Sequence, residues 1–455
     1  MGAIANTLLQ FILFSELTDW SSYNLLGQSL SYNKTYQLSR IGNFLRRNKE
    51  QVLVNDNQLY KRPTIRINGR GITLRDNKDG ANIGTKNQFR IYKGQFLLSK
   101  IDARNGAFGV VPAELDNGII TGNFWTFDVD YSIINPHYLT LLTGTKEFQK
   151  LCQTASVGTT NRNYLKEDLF LKFKIPLPTL SEQDKLVNDY AEKINKAKNL
   201  EQRVNDLEKE IERYLFDELG VEINQSKSKS NLLQEINFKE ITRWDPLFLL
   251  GKIPSIKSKF ELVDLKNTIK SFNKDADNKS IRIDSSKFPS NEFQYIGMEH
   301  IEKQTGTLLE MQTVKGKEIK SQTIKVPNNF FIYGKLRPYL NKYWINDTNF
   351  DNVICSSEFF VFDIEKNINK LFFKYVLSSR IIQSQILDKT SGARMPRINE
   401  DIFFNLKMPL PPRLIQNEIA LTIDAMKKQI ADLKIEANFA KNTASQAFEN
   451  AIFNS

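Results

Sequence analysis

The chain has 455 residues, of which 40% are hydrophobic and 25% charged, and it carries a net charge of +11. That length suits two or three domains, and the composition is that of a soluble globular protein. No apolar run reaches the roughly 18 residues of a membrane span, and the basic balance points to an acidic partner, nucleic acid first.

The N-terminal apolar stretch Leu8–Phe14 lacks a basic region before it and a small-residue cleavage site after it, so it is not read as a signal peptide. Two cysteines, Cys152 and Cys355, form no disulfide framework and fit a reducing cytosol. The segment "LLQFILFSELTDW" (8–20) recurs as "LLQEINFKEITRW" (232–244), a shift of 224. Trp20 and Trp244 are each followed seven residues later by Gly27 and Gly251. Residues 36–45 match 260–269 in apolar alternation. Further on, "FLLSKI" (96–101) matches "FIYGKL" (331–336) and "TGNFWTFDV" (121–129) matches "SSEFFVFDI" (356–364), both at a shift of 235. "KEDLFLKFKIPLP" (166–178) then matches "NEDIFFNLKMPLP" (399–411) at 233. Ordered matches at a slowly drifting offset indicate a duplicated domain, and the period is far too long for a solenoid.

Alternating runs predict strands at Ile91–Ile101, Phe124–Val129 and Phe359–Ile364. Apolar spacing predicts helices over 136–151 and 370–387. Each body is thus of mixed α/β (α+β) class. Residues 1–180 hold 22 Lys/Arg against 14 Asp/Glu, and 220–414 hold 30 against 22, so each body is +8. The segments 181–219 and 415–455 are −4 and −1.

Each Pro-Leu-Pro phrase leads into a long periodic segment, with proline suited to the junction of strand and helix. The first carries Tyr190, Ile194, Ala197, Leu200, Val204, Leu207, Ile211 and Tyr214 at steps of three or four, and Gly220 is a fitting stop. The second carries Ile419, Ile423, Met426, Ile430, Leu433, Ala437, Ala440, Ala444, Ala447 and Ala451, a heptad seam whose alanines permit close approach. About 38 residues per helix correspond to roughly 57 Å. Intramolecular pairing as an antiparallel coiled coil is predicted, with the bodies at opposite ends. Homodimerisation is the competing reading.

Two diverged bodies, each closing with "KEDLFLKFKIPLPTLSEQ" (166–183) or "NEDIFFNLKMPLPPRLIQ" (399–416), resemble the DNA specificity (S) subunit of type I restriction–modification enzymes over essentially the whole chain. In the second copy Leu414-Ile415 replaces the Ser-Glu before Gln183. The resemblance implies target recognition domains at 1–180 and 221–412, and conserved helices at 181–220 and 413–455. Each domain would read one half of a split, asymmetric site on double-stranded DNA. The helices would set the gap and dock two methyltransferase (modification) subunits, which restriction/translocase subunits join. A cytoplasmic, non-catalytic chain is implied. S-adenosylmethionine, Mg2+ and ATP are then expected on the partners and no cofactor on this chain. A rod of roughly 57 Å spans one to one and a half turns of B-DNA at about 34 Å each.

Candidate DNA contacts follow. The loops Ser156–Asn163, with Thr160, Asn161 and Arg162, and Thr390–Arg397, with Arg394 and Arg397, combine small residues with arginines suited to phosphates. Lys100, Arg104, Lys335, Arg337 and Tyr339 form a second group, in which Lys100 and Lys335 are repeat equivalents and Arg337 lies over Asp102. Ordinary surface turns are the competing reading. Arg46-Arg47 and "KGKEIK" (315–320) read as solvated charge.

A stand-alone or fused DNA methyltransferase/restriction enzyme is the alternative. "NPHY" (135–138) departs from the Asn-Pro-Pro-Tyr motif of adenine methyltransferases at His137, and its repeat reads "NKLF". It reads as a helix start. No Walker A sequence is present. His137 and His300 have no ligands at zinc spacing, and Glu318-x-Lys320 has no partner carboxylate for a nuclease. A structural protein binding something other than DNA is the third reading.

Overall fold

The computed structural model describes residues 32–157, 164–224, 255–274, 280–386 and 395–453. The Leu8–Trp20 and Leu232–Trp244 repeat, with Gly27 and Gly251, lies outside them. The chain divides into two compact units: Met1–Leu200 with Ile435–Ser455, and Glu201–Lys434.

The first unit is built on a four-stranded antiparallel sheet in the order Leu45–Asn48, Phe124–Val129, Phe96–Ser99, Phe108–Val110. Phe96, Leu98, Phe108 and Phe127 alternate inward from it and are fully buried. They pack on α1 (Pro136–Thr143), α2 (Lys146–Thr154) and α3 (Glu167–Lys172). Leu38–Arg40 pairs with Lys174–Pro176, bringing the Pro-Leu-Pro phrase back to the start of the domain. A three-stranded sheet (Gln51–Leu53, Asn87–Ile91, Gly118–Ile120) and a two-stranded ribbon (Leu59–Ile65, Ile72–Asp79) complete the body.

α4 (Leu180–Leu219) contributes its first half to this unit and α8 (Arg413–Ile452) its last turns. Ala197 clusters with Ala437 and Ala440, and Lys196 pairs with Glu436 at 2.8 Å. Tyr190 meets Phe448 at 6.5 Å between ring centroids. Numbers rise on one helix as they fall on the other, so the two are antiparallel here. Phe448 and Ile452 enter the core of the body, and Tyr32 bridges to Phe453.

The second unit repeats the plan. Its four-stranded sheet runs Ile269–Phe272, Phe359–Ile364, Phe331–Gly334, Tyr343–Ile345, and Leu262–Asp264 pairs with Lys407–Pro409. The helices α5 (Lys370–Ser378), α6 (Arg380–Ile386) and α7 (Glu400–Phe404) take the places of α1 to α3. A five-stranded sheet, including one parallel pair, replaces the smaller sheets of the first unit. Val204 and Leu207 of α4 cluster with Ile430 of α8, while Leu215 and Leu219 share a cluster with Ile419 and Ile423. The helices are antiparallel here too.

Five expectations need correction. Ile91–Ile101 is two strands, because Gly94 adopts φ +82° and turns the chain between them. The helix over 136–151 breaks at Gly144, and Thr145 caps α2 by accepting from the Phe148 amide. The helix over 370–387 breaks likewise at Ser379. At the end of α8, Ala447 is exposed and Phe448 is buried, because the larger ring fills the space beside Tyr138 and Tyr190. Each long helix has 40 residues rather than 38.

Candidate nucleic-acid interface

Lys100 and Lys335 follow equivalent strands and make the same backbone bonds. The Lys100 amide donates to Asn123 O (3.0 Å) and its carbonyl accepts from Leu165 N (2.9 Å). The Lys335 amide donates to Glu358 O (2.8 Å) and its carbonyl accepts from Ile398 N (3.1 Å). Both lysines therefore anchor the strand leaving a candidate contact loop. Lys100 Nζ lies 5.9 Å from the rings of Trp125 and Tyr164, and Lys335 Nζ lies 5.0 Å from Phe360. Such contacts are worth about 0.5–2 kcal/mol each. Lys335 Nζ also donates to Ser357 O at 2.7 Å. Burial pulls both ammonium pKa values down, with repulsion from Arg47 added at Lys100 and from Arg282 at Lys335.

Arg47 is not the solvated charge expected of it. Its side chain is 9% exposed and lies over Trp125 and Phe127 at 5.8 and 5.5 Å. Nη1 donates to Asn48 O and Thr126 O, and Glu167 stands 3.7 Å from Nε. Burial lowers its pKa and Glu167 opposes that shift. An inward-facing position on Leu45–Asn48 put it there, next to an aromatic pair that the sequence shows but does not bring together.

Arg397 is the repeat equivalent of Tyr164. It pairs bidentately with Glu358, Nε at 3.1 Å and Nη2 at 2.8 Å, which holds its guanidinium in a fixed plane. Arg337 and Asn341, both at φ +48°, flank the short turn Pro338–Leu340. That turn exposes Tyr339, and Arg337 Nε is buried with no hydrogen-bond partner among the described residues. Arg104 is half-buried in the turn Ala103–Asn105. Thr160, Asn161, Arg162 and Arg394 lie outside the described residues.

The Pro-Leu-Pro–Gln phrase has a clear task. Gln183 is fully buried. Its Nε2 donates to Pro178 O (2.8 Å) and Ile133 O (3.2 Å), and its Oε1 accepts from Asn135 N (2.8 Å). Asn135 in turn caps α1, accepting from the His137 amide, and donates to Asp184. Gln416 repeats this, with Nε2 to Pro411 O (2.9 Å) and Asn369 N to Oε1 (2.9 Å), while Asn369 caps α5. "NPHY" is thus a helix start clamped to the head of α4. Among the described residues no cluster of three His, Cys, Asp or Glu could hold a metal ion.

The seam residues sit along the helix pair. Ile419, Ile423, Ile430, Ala437, Ala440, Ala444, Val204 and Leu207 are buried, whereas Tyr190, Ile194, Leu200, Ile211, Met426 and Leu433 are half-buried. α8 carries a second apolar set, exposed and off the seam. Leu414 and Leu421 in the second unit, and Ile435 and Phe439 in the first, are each between 68% and 76% exposed. Their seven-residue spacing from 414 to 421 was legible but lies off the seam.

Fold and sites define a tandem scaffold that repeats one framework and varies the residues mounted on it. The family model for the type I restriction modification DNA specificity domain matches twice, at residues 33–210 and 257–438. With more than half of its length matched, the chain belongs to that family. Two specificity domains in one chain are the make-up of the DNA-recognition subunit of a type I restriction–modification system, which works with DNA and the other subunits of that system. A chain from a structure described as the structural basis of complex assembly and conformational transition of the type I R-M system shares the fold. It has 13% identity and a TM-score of 0.55, over 92% of this chain and 97% of that one. The HsdS subunit from Thermoanaerobacter tengcongensis is similar at 13% identity and a TM-score of 0.44, over 93% and 99% of the two chains. The S subunit from M. genitalium is similar at 11% and 0.45, over 94% and 98%. No curated protein matches in sequence. No helix among the described residues is long and apolar enough to cross a membrane.

Proposed function

We propose that residues 1–180 and 221–412 each read one half of a bipartite, asymmetric DNA site, and that the helices 181–220 and 413–455 set the gap between the halves. One observation carries this reading. The framework bonds of Lys100 and Lys335 are the same, yet the residues around them differ: Asn123 against Glu358, Tyr164 against Arg397, Asp102 against Arg337, Arg104 against Tyr339. One mounting with unlike side chains suits two unlike half-sites. Arg104, Arg337 and Tyr339 are the proposed DNA contacts, with Lys100, Lys335 and Arg397 also positioning the loops that carry Thr160, Asn161, Arg162 and Arg394.

The exposed apolar residues of α8 support docking of two modification subunits, which restriction subunits join. In this reading the chain is cytoplasmic and catalyses nothing, and S-adenosylmethionine, Mg2+ and ATP bind its partners. Methylome sequencing of host cells with and without the chain tests this. A split motif that loses methylation without the chain supports the reading, and an unchanged methylome overturns it. Measurable S-adenosylmethionine affinity of the purified chain would favour the methyltransferase alternative instead.

A further inference from the structure

The ribbon Leu59–Asp79 carries six cations (Lys61, Arg62, Arg66, Arg70, Arg75, Lys78) against Asp76 and Asp79, a net +4 in 21 residues and half of the +8 of residues 1–180. The second copy has no match for it. Its counterpart window is −2 whether the shift is 224 (283–303) or 235 (294–314).

The ribbon is stiff and its outward face is defined. Its strands pair antiparallel from Leu59↔Asp79 to Ile65↔Ile72, with a bulge at Arg62/Pro63. Ile72, Leu74 and Ile65 pack its underside onto Ile91, Leu97 and Val111. The tip is pinned by Asn68 N to Asn105 O (2.7 Å) and Gly69 N to Gly106 O (2.9 Å). Gly69, at φ +63°, sits so close to Gly144 that a Cβ would lie 3.1 Å from its Cα. Across the strands Arg62 holds Asp76 bidentately at 2.8 and 2.6 Å. Lys61, Thr64, Arg75 and Asn77 are left exposed on the strands, and Arg66 and Arg70 at the turn.

A two-stranded ribbon, with strands about 4.8 Å apart, fits the major groove of about 12 Å. Arginine and asparagine make bidentate contacts to guanine and adenine there. From this geometry we infer that the ribbon lies in the major groove of the half-site read by residues 1–180. Arg75 and Asn77 face base edges, and Arg66 and Arg70 hold phosphates. The inference rests on the half-site reading above and names the element and side chains that perform it.

The test uses the full chain assembled with its modification subunits. All four residues are exposed, so the variants are expected to fold, and a melting curve checks that. Arg75→Ala/Asn77→Ala relaxes the methylated motif at bases within one half, by roughly tenfold or more in preference per lost contact, and leaves the other half and the gap intact. Arg66→Ala/Arg70→Ala keeps the motif, weakens binding to all duplexes, and lowers the slope of log affinity against log salt by about 1.8. An unchanged motif and slope, relaxation of the half assigned to residues 221–412, or loss of subunit assembly without a change of motif overturns the inference. A wild-type chain that directs no split-motif methylation overturns the proposed function instead.

Discussion

Gln183→Met keeps side-chain volume and removes the amide that clamps α1 to α4. Three bonds go: Nε2 to Pro178 O, Nε2 to Ile133 O, and Asn135 N to Oε1. An orphaned buried polar group costs about 1–3 kcal/mol. Only the Pro178 contact is wholly buried, so the other two count near the low end, and about 2–4 kcal/mol is expected from the first unit. Gln416→Met loses two such bonds, to Pro411 O and from Asn369 N, and is expected to cost about 1 kcal/mol less. For units of this size about 1 kcal/mol moves the midpoint by about 2–4 °C. Calorimetry of the full chain should therefore show a drop of about 4–16 °C for Gln183→Met and a smaller one for Gln416→Met. Gln183→Glu should be worse at neutral pH, because a carboxylate would face two carbonyl oxygens, and should recover in acid as it gains a proton to donate. A midpoint for Gln183→Met within about 1 °C of the parent, or a larger loss for Gln416→Met, would refute the clamp.

Phe448→Ala should cost about 3–5 kcal/mol, read from denaturant midpoints, since its ring is 4% exposed between Tyr138 and Tyr190. Ala447→Lys should be tolerated in the same assay and Ala444→Lys should not, because Ala447 is exposed and Ala444 is 1% exposed. Gly69→Ala should destabilise the first unit by about 1–2 kcal/mol through its left-handed conformation alone, with the Gly144 contact added, and amide exchange should rise at the ribbon tip. The pKa of Asp264 is held down by hydrogen bonds to Lys407 and Lys266. Its contribution is present above the unfolded carboxylate range and is lost as pH falls through the lower folded value. An acid titration of stability should therefore fall less steeply below about pH 4 in Asp264→Asn, by under about 1 kcal/mol, since the lysine partners of the half-buried Asp264 are exposed.

The duplication was legible because both copies retain the groups that hold the framework. Asn135 and Asn369, Gln183 and Gln416, Lys100 and Lys335 recur with their apolar neighbours, at offsets of 234, 233 and 235. The long helices were legible from their steps of three and four. The last turns of α8 were not, since a run of alanines continues the heptad on paper while Phe448 claims the buried place. Sheet order was hidden because partners such as Leu38–Arg40 and Lys174–Pro176 lie far apart in the chain, and local pattern carries no pairing information. The ribbon was hidden for a different reason. It has no repeat counterpart, and Pro63 with the adjacent bulge interrupts its alternation. Arg47 looked like solvated charge because its aromatic neighbours Trp125 and Phe127 come from a distant strand.

In the proposed reading each copy governs half of one methylated motif. The most direct measurement is the methylome of cells carrying the modification subunits and a chimera in which residues 1–180 come from another family member. A split motif with one half replaced, the other half retained and the gap unchanged is expected. A motif altered in both halves, or in neither, would contradict it.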